Sequence, residues 1–269
     1  MFTIPKLASW RHNVSGLLIF IAIVYAGICL FLYVFQRSLI YFPVAEVSFR
    51  PPGTSLMTLS ATGSELRVTV LQRDGREALI YFGGNAEDVT ASLPELASSF
   101  PRHSIYLMHY RGYGGSAGKP TEAGLFADAL ALFDSVKAEH EDVVVVGRSL
   151  GSGVATYLAS QRPVARLVLV TPFDSIVAVA RQQFGWLPVQ WLLRDRFEST
   201  RYAPEVSAPT LLIAAEHDEI IPTANSKKLL SSFKPGVAAL KIVPDAGHNT
   251  ISMSPDYRRY LSELEPGER

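Results

Sequence analysis

One stretch near the start of the chain carries no charged side chain. It runs from Gly16 to Phe35 and has about the 20 residues that a helix needs to cross the hydrocarbon core of a membrane. A cleaved signal peptide has a shorter apolar core followed by small residues, and neither feature is clear here. The pattern predicts one transmembrane helix over residues 16–35, with a tail over 1–15 and a globular domain over 36–269.

Basic residues on the two sides of this span indicate its orientation. Lys6, Arg11 and the amino terminus precede the span, whereas Arg37 and Arg50 follow it. Because basic residues favour the cytoplasmic side, this small excess favours a cytoplasmic N-terminus and a domain on the non-cytoplasmic side. We therefore expect a single-pass membrane protein that has the lipid bilayer as a partner.

After the span, short runs of β-branched and aliphatic residues alternate with stretches of helix length. Such alternation predicts an α/β fold, with a mostly parallel sheet and helices on both faces. Val143–Val146 is a continuous apolar run, as expected of a central strand that is buried on both faces. Helices are predicted over Thr121–His140 and Leu150–Gln161. The predicted strands are Leu66–Leu71, Ala78–Phe82, Ser104–His109, Val143–Val146, Leu167–Val170, Thr210–Ala214 and Ala239–Val243.

Composition removes two classes of protein from consideration. The 25 basic and 25 acidic side chains cancel, and no basic run compensates locally, so the electrostatic pattern of a nucleic-acid binder is absent. Cys29 is the one cysteine, which excludes an intrachain disulfide and a cysteine-based metal cluster. We expect no nucleic-acid partner.

The segment from Gly147 to Gly151 matches the pattern G-x-S-x-G. It follows the valine strand directly and precedes a helical pattern, which is the strand–turn–helix setting that a nucleophilic serine requires. A second match places Ser116 in a glycine-rich loop that continues into Lys119 and Pro120, so no helix begins at its hydroxyl. This difference in context favours Ser149 as the nucleophile.

An activated serine needs a histidine base and a carboxylate that orients the base, in the chain order serine, acid, histidine. Asp218 follows the strand TLLIAA and His248 follows the strand ALKIVP, both at strand ends where α/β sheets place their sites. Taken singly, Asp218 could cap a helix over Thr223–Leu230 and His248 could face solvent. Together with Ser149 they predict a catalytic triad, with Glu219 or Asp245 as the alternative acid.

The same chemistry needs two backbone N–H groups that stabilise an oxyanion. One is expected from Leu150, the residue after the nucleophile. The other is expected from the loop after an earlier strand, where Gly83 and Gly84 permit a close approach of the backbone. Either Asn85 or Ala86 can donate it. This mechanism requires no metal and no organic cofactor, so we expect none.

The motifs YFGGNAEDV, HYRGYGGSAGKPT, GRSLGSG, HDEIIP and GHN, in this order, resemble those of the alpha/beta-hydrolase family. The sequence looks like the membrane-anchored ABHD-type branch of this family and the bacterial relatives of that branch, from about Phe35 to the C-terminal helix. The resemblance implies the alpha/beta-hydrolase fold, the triad of Ser149, Asp218 and His248, and an oxyanion region formed by the turn at 84–86 with Leu150. Related sequences often carry histidine where Gly83 stands.

Residues 172–209 form an insertion that is rich in large apolar side chains. In this fold such an insertion commonly forms a short cap over the nucleophile, whose aromatic residues line an acyl site, touch the bilayer or pack on the core. The predicted substrate pocket comprises Gly84, Tyr110, Phe173 and Trp186.

These expectations describe a membrane-anchored serine hydrolase whose catalytic domain spans 36–269. Its expected substrate is a carboxylic ester or thioester, cleaved through an acyl-enzyme. Two alternatives remain from the sequence: a peptidase or amidase with the same triad, and a catalytically silent module that binds a lipid or a protein.

Overall fold

The computed structural model describes residues 7–46 and 51–263, and side chains from residue 14 onward. Residues 1–6 of the predicted tail, and residues 47–50 and 264–269 of the predicted domain, lie outside the described residues. The strands are β1 (Thr54–Ala61), β2 (Ser64–Leu71), β3 (Glu77–Phe82), β4 (Ser104–Met108), β5 (Asp142–Arg148), β6 (Arg166–Val170), β7 (Thr210–Ala215) and β8 (Ala238–Val243). The helices are α1 (Leu7–Ile40), α2 (Leu93–Ser99), α3 (Glu122–Glu139), α4 (Leu150–Gln161), α5 (Ile176–Gln183), α6 (Val189–Leu192), α7 (Ser199–Tyr202), α8 (Thr223–Leu230) and α9 (Pro255–Ser262).

The eight strands form one sheet in the order β1-β2-β4-β3-β5-β6-β7-β8. Strands β3 to β8 run parallel, while β2 is antiparallel to both β1 and β4. The expected mostly parallel sheet is confirmed. Strand β1 was not predicted from the sequence; it joins β2 through a hairpin in which Thr62 and Gly63 have φ values of 43° and 75°. Two left-handed residues in sequence are typical of a tight hairpin turn.

Strand β5 lies between β3 and β6 near the middle of the sheet. Val143 and Val145 pack into the core on one face, whereas Val144 and Val146 pack into the core on the other. Because successive side chains of a strand point to opposite faces, a strand covered on both sides must be apolar throughout. This arrangement explains the run of four valines and brings the serine that follows β5 to the centre of the carboxyl edge.

Helices cover both faces of the sheet. Helices α3 and α4 contribute side chains to one core, including Phe133 and Leu158. Helices α2 and α9 contribute side chains to the other, including Leu96 and Leu261. A 3-10 turn over Val89–Ser92 precedes α2, which begins at Leu93.

Helix α1 extends beyond the uncharged stretch at both of its ends. Its portion Val14–Ile40 contains an 18-residue window with a mean hydropathy of 2.8 and no buried residue, and by length and composition it can cross a membrane. The C-terminal part contacts the insertion between β6 and β7, which contains α5, α6 and α7. The domain and the apolar helix are therefore joined by direct contacts as well as by the chain.

Candidate active site

Ser149 occupies a sharp turn between β5 and α4. Its backbone has φ 49° and ψ −116°, a left-handed conformation that is strained for a residue with a side chain. The turn requires small neighbours: a Cβ on Gly151 would overlap the carbonyl of Phe82, and one on Gly147 would lie 2.6 Å from the Cβ of Ala155. The two glycines of G-x-S-x-G therefore permit the turn, and the turn holds the serine at the edge of the sheet.

His248 connects the serine to a carboxylate. Its Nε2 lies 3.0 Å from the Oγ of Ser149, and its Nδ1 lies 2.8 Å from Oδ2 of Asp218. The imidazole and the carboxylate are both nearly inaccessible, with exposed side-chain fractions of 6% and 1%. A hydrogen on Nδ1 that is donated to Asp218 leaves Nε2 free to accept the serine proton. The geometry is that of a serine, a base and an orienting acid.

Local hydrogen bonds fix the orientation of the Asp218 carboxylate. Its Oδ1 accepts from the backbone N–H groups of Ile220 and Ile221 at 3.0 and 2.6 Å. The carboxylate does not cap α8, whose preceding residue is Pro222 and whose start has no side-chain cap. Asp218 is therefore held by the turn after β7 and directed at His248.

The two alternative acids occupy different positions. Glu219 accepts a hydrogen bond from the backbone N–H of His248 through Oε2 at 3.1 Å, and so contacts the main chain of the histidine. Asp245 has a side chain that is 97% exposed. Of these carboxylates, Asp218 is the one that hydrogen-bonds to the imidazole.

Ser116, the serine of the second G-x-S-x-G match, is a structural residue. Its Oγ donates to the carbonyl of His109 and accepts from the N–H of Arg67, both at 2.8 Å. The residue is 7% exposed. The hydroxyl thus donates to the residue after β4 and accepts from β2, and among the described residues it makes no hydrogen bond to a histidine ring.

The turn after β3 lies against the serine. A Cβ placed on Gly84 would be 3.6 Å from the Cβ of Ser149. The Gly84 N–H donates to Glu87 and the Ala86 N–H donates to Oδ1 of Asn85, so within the described residues the Asn85 N–H is the donor of this turn without an acceptor. Leu150 opens α4, and the first N–H groups of a helix have no acceptor inside the helix. These two N–H groups are available to an oxyanion.

The side chain of Asn85 ties this turn to the end of α1. Its Nδ2 donates to the carbonyl of Ile40 at 2.6 Å, and its Oδ1 accepts from the N–H of Phe42 and the hydroxyl of Tyr113, both at 2.9 Å. Burial raises the pKa of Tyr113 to about 12, so its hydroxyl stays protonated as a donor. The amide is thus a bridge between the apolar helix and the candidate oxyanion turn.

A carboxylate holds the same turn from the other side. Besides Gly84, Glu87 accepts hydrogen bonds from the hydroxyls of Tyr81 and Ser92, both at 2.7 Å. Burial acts to lower the pKa of the neighbouring Arg148, but the Glu87 carboxylate raises it above its ordinary value. Arg148 therefore remains a cation that compensates the Glu87 carboxylate.

An apolar cavity of about 460 Å³ opens at Ser149 and Leu150. Its volume falls within the range of small-molecule sites. Apolar side chains of α1, α5 and α6 supply most of its walls, and Ile220 and Ile221 complete them beside Asp218. The cavity is suited to an extended apolar group attached to the reacting carbon.

The four residues predicted to form the pocket have different positions. Phe173 lines the cavity and Gly84 lies beside the serine. Tyr110 lies outside the lining because its hydroxyl is turned away to the carbonyl of Gly83, at 2.8 Å in the buried core. Trp186 also lies outside the lining: it is 60% exposed, and its ring centroid is 6.2 Å from that of Tyr25 on α1.

Sequence reasoning missed the contribution of α1 to the cavity. Leu32, Gln36, Leu39 and Ile40 line it, although the uncharged stretch alone indicates only a membrane anchor. Gln36 was the available signal, since a glutamine directly after an apolar stretch needs hydrogen-bond partners.

One group of residues has the composition of a metal site. The ligand atoms of Glu216, His217 and Asp245 lie within 4.8 Å of one another, and all three residues are exposed. None of them lines the cavity at Ser149. Exposed acidic groups of this kind are ordinary surface features.

Comparisons with known proteins agree with the fold. Residues 81–207 match the model of the Alpha/beta hydrolase family. The uncharacterized protein Rv2307c of Mycobacterium tuberculosis is 34% identical over 263 residues, which cover 90% of this chain and 93% of that protein. The lysophosphatidylserine lipase ABHD12 of Macaca fascicularis is 32% identical over 219 residues, covering 69% of this chain and 55% of that protein. Among solved structures, the Pyrococcus furiosus esterase Pf2001 has a TM-score of 0.64 at 18% identity, covering 83% of this chain and 95% of that chain.

Proposed function

Since this chain belongs to the ABHD-type branch of the alpha/beta hydrolase family, we propose that it is a membrane-anchored serine hydrolase that cleaves a carboxylic ester or thioester. The observation that carries this proposal is the position of His248, whose two ring nitrogens lie 3.0 Å from Ser149 Oγ and 2.8 Å from Asp218 Oδ2. Such an arrangement activates a hydroxyl that is otherwise a poor nucleophile.

The reaction proceeds in two halves. In the first, Nε2 of His248 takes the proton of Ser149 while Oγ attacks the acyl carbon; the bond to the leaving alcohol or thiol then breaks, and the leaving group receives that proton. In the second, water gives a proton to His248 and attacks the acyl carbon. The bond to Oγ breaks, the carboxylic acid leaves and Ser149 regains its proton. Asp218 holds the imidazole and stabilises its charged form throughout.

Negative charge on the acyl oxygen is stabilised by the N–H groups of Leu150 and Asn85. Both are backbone donors held in place before the substrate arrives, so no reorganisation is needed when the charge develops. The N–H groups of Gly84 and Ala86 already donate to side-chain oxygens, which supports Asn85 rather than Ala86 as the second donor.

The cavity supports an ester or thioester with an apolar acyl group. Its walls are mostly aliphatic and aromatic, and Ser149 lies in its lining. The relatives named as a lipase and an esterase are consistent with this substrate class.

Helix α1 is proposed to anchor the enzyme in a membrane with the catalytic domain on the non-cytoplasmic side. Its length and hydropathy suit a membrane span. Gln36 and Arg37 bind the cap, which supports a helix that is retained in the mature protein rather than removed as a signal. If the helix is retained, washing membranes with alkaline carbonate leaves the protein in the membrane fraction; its release contradicts the anchor.

The catalytic proposal is tested by hydrolysis with the full-length protein in detergent micelles. The substrates are p-nitrophenyl esters of graded acyl length, acyl thioesters, and an anilide of the same acyl group. His248→Ala should abolish hydrolysis of esters and thioesters, whereas His217→Ala, a histidine with a 67% exposed side chain, should retain it. Hydrolysis of the anilide at a rate above that of the esters would indicate an amidase instead. A folded wild type that cleaves none of the substrates contradicts the proposal.

A further inference from the structure

The inner face of α1 is part of the cavity that contains the nucleophile. The contributing residues, Leu32, Gln36, Leu39 and Ile40, have the spacing i, i+4, i+7 and i+8, which places them on one face of the helix. Leu30, on the same helix, is 63% exposed and is not part of the lining. The helix therefore has one face toward the cavity and another away from it.

Polar contacts hold this inner face against the cap. Gln36, only 5% exposed, donates through Nε2 to the carbonyl of Leu192 at 3.0 Å and accepts the N–H of Arg194 at 2.7 Å. One helix turn is thereby joined to two backbone groups at the end of α6. Both Nε2 and Oε1 of Gln36 are hydrogen-bonded to backbone groups. The methylene groups of Gln36 are therefore the part of its side chain that lines the cavity.

An ion pair between the half-exposed Arg37 and the buried Asp195 adds a second attachment beside the first. Nε of Arg37 lies 2.9 Å from Oδ2 of Asp195, and the hydroxyl of Tyr41 donates to the same oxygen at 3.1 Å. The Asp195 side chain is 6% exposed, so losing its partners would leave a charge in a poorly solvated place. These two attachments thus fix the position of α1 relative to the cap.

The C-terminal end of the helix contacts the candidate oxyanion turn. Its last residue, Ile40, is bound through its carbonyl to Asn85 of the candidate oxyanion turn. Leu32 lies eight residues earlier, a distance of about 12 Å along the helix at 1.5 Å per residue. An acyl chain attached to Ser149 and extended along this face meets Ile40 and Leu39 first and Leu32 last.

We infer that α1 is a wall of the acyl site as well as an anchor, and that Leu32 limits the acyl chain length that the enzyme accepts. This inference rests on the proposed function, because it assigns a substrate group to the cavity at Ser149. On the opposite side the chain would contact apolar residues of the cap, such as Val179, Phe184 and Leu192. The ligand chemistry is a linear aliphatic acyl group.

The test compares kcat/KM for butyryl, octanoyl, lauroyl and palmitoyl p-nitrophenyl esters in detergent micelles. A larger side chain at the far end of the cavity should exclude long chains more than short ones. Leu32→Trp is expected to lower the lauroyl-to-butyryl ratio at least about tenfold, the scale on which a hydrophobic pocket discriminates between chain lengths. Leu30→Trp places the same side chain on the other face of the same helix and should leave the ratio and the rates as in the wild type.

A second substitution keeps the inference open to refutation if Leu32→Trp does not fold. Leu32→Ala enlarges the far end and should move the preferred ester toward longer chains. Ratios in both Leu32 variants that match those of Leu30→Trp overturn the inference while leaving the proposed function intact. A folded wild type that hydrolyses none of the esters overturns the proposed function and this inference with it.

Discussion

Oδ2 of Asp218 lies 2.8 Å from Nδ1 of His248, while Oδ1 of the same carboxylate accepts two backbone N–H groups. The backbone therefore holds the carboxylate in place independently of its contact with the imidazole. Asp218→Asn replaces one carboxylate oxygen by an amide donor, which favours the tautomer with the wrong nitrogen protonated. We predict a fall in kcat of about ten-thousand-fold, measured with the best of the p-nitrophenyl esters.

Asp245 provides the matched control for this prediction. It is an aspartate in the loop before His248, and its side chain is 97% exposed. Asp245→Asn should leave kcat within about twofold of the wild type, as surface changes away from a site have small effects. Equal losses in the two variants would show that Asp218 has no special role.

The packing of the turn at Ser149 predicts a large loss of stability when a single methyl group is added to it. Gly151→Ala places a Cβ against the carbonyl of Phe82, a backbone group that cannot move aside without shifting β3. We expect a loss of about 3 kcal/mol or more in the free energy of unfolding, toward the upper end for overpacking of a core. Chemical denaturation with near-UV circular dichroism measures this loss.

Gly27→Ala is the corresponding control, since nothing lies within 4 Å of a Cβ at that position of α1. Alanine also has a higher helix propensity than glycine, so this variant should be as stable as the wild type or slightly more stable. A Gly151→Ala protein that is as stable as Gly27→Ala contradicts the packing described for the turn.

A buried ion pair away from the active site predicts that removing its arginine lowers stability more than removing the arginine of an exposed pair. Nε of Arg111 lies 2.7 Å from Oδ2 of Asp128, whose side chain is fully inaccessible. Arg111→Ala leaves that carboxylate buried without its cation, and the expected loss of stability is about 3–5 kcal/mol.

The pair of Arg162 and Asp134 has nearly the same geometry, with Nε 2.7 Å from Oδ1, but its side chains are 35% and 53% exposed. Arg162→Ala should cost about 0–1 kcal/mol, because solvent screens the pair. Equal values from the two unfolding curves would mean that burial of Asp128 has no energetic consequence.

Because the side chain of Asn85 joins the candidate oxyanion turn to the end of α1, changing this side chain is expected to affect the rate rather than the substrate affinity. Asn85→Asp retains an acceptor for Phe42 and Tyr113 but loses the donor to the carbonyl of Ile40. The backbone N–H of residue 85 remains, so the oxyanion donor is displaced rather than deleted. We predict a fall in kcat of about tenfold with KM changed less than twofold, below the cost of deleting an oxyanion donor. A rise in KM at unchanged kcat would assign Asn85 to binding instead.

The strands of the parallel sheet were predictable because their sequences are apolar runs ended by polar loops. Strand β1 was missed because Thr54–Ala61 mixes serine and threonine with apolar residues without a regular alternation, and it is largely half-exposed or exposed in its hairpin. The Thr62–Gly63 turn was the signal that could have identified it.

The side chains of the triad were nominated from the sequence because each follows a strand, and the ends of parallel strands meet at one edge of a sheet. The wall formed by α1 was not, since it depends on how a helix outside the sheet packs on the cap. That packing depends on three-dimensional contacts such as those of Gln36 and Arg37. The choice between Asn85 and Ala86 likewise depends on hydrogen bonds that no sequence pattern encodes.

The most direct test of the central claim is labelling of the detergent-solubilised full-length protein by a fluorophosphonate probe, which reacts rapidly only with an activated serine. Wild type, Ser149→Ala and Ser116→Ala are compared in one gel, with folding checked by circular dichroism. The account predicts that labelling is lost in Ser149→Ala and retained in folded Ser116→Ala. Labelling that persists in Ser149→Ala, or a folded wild type that is not labelled, would contradict it.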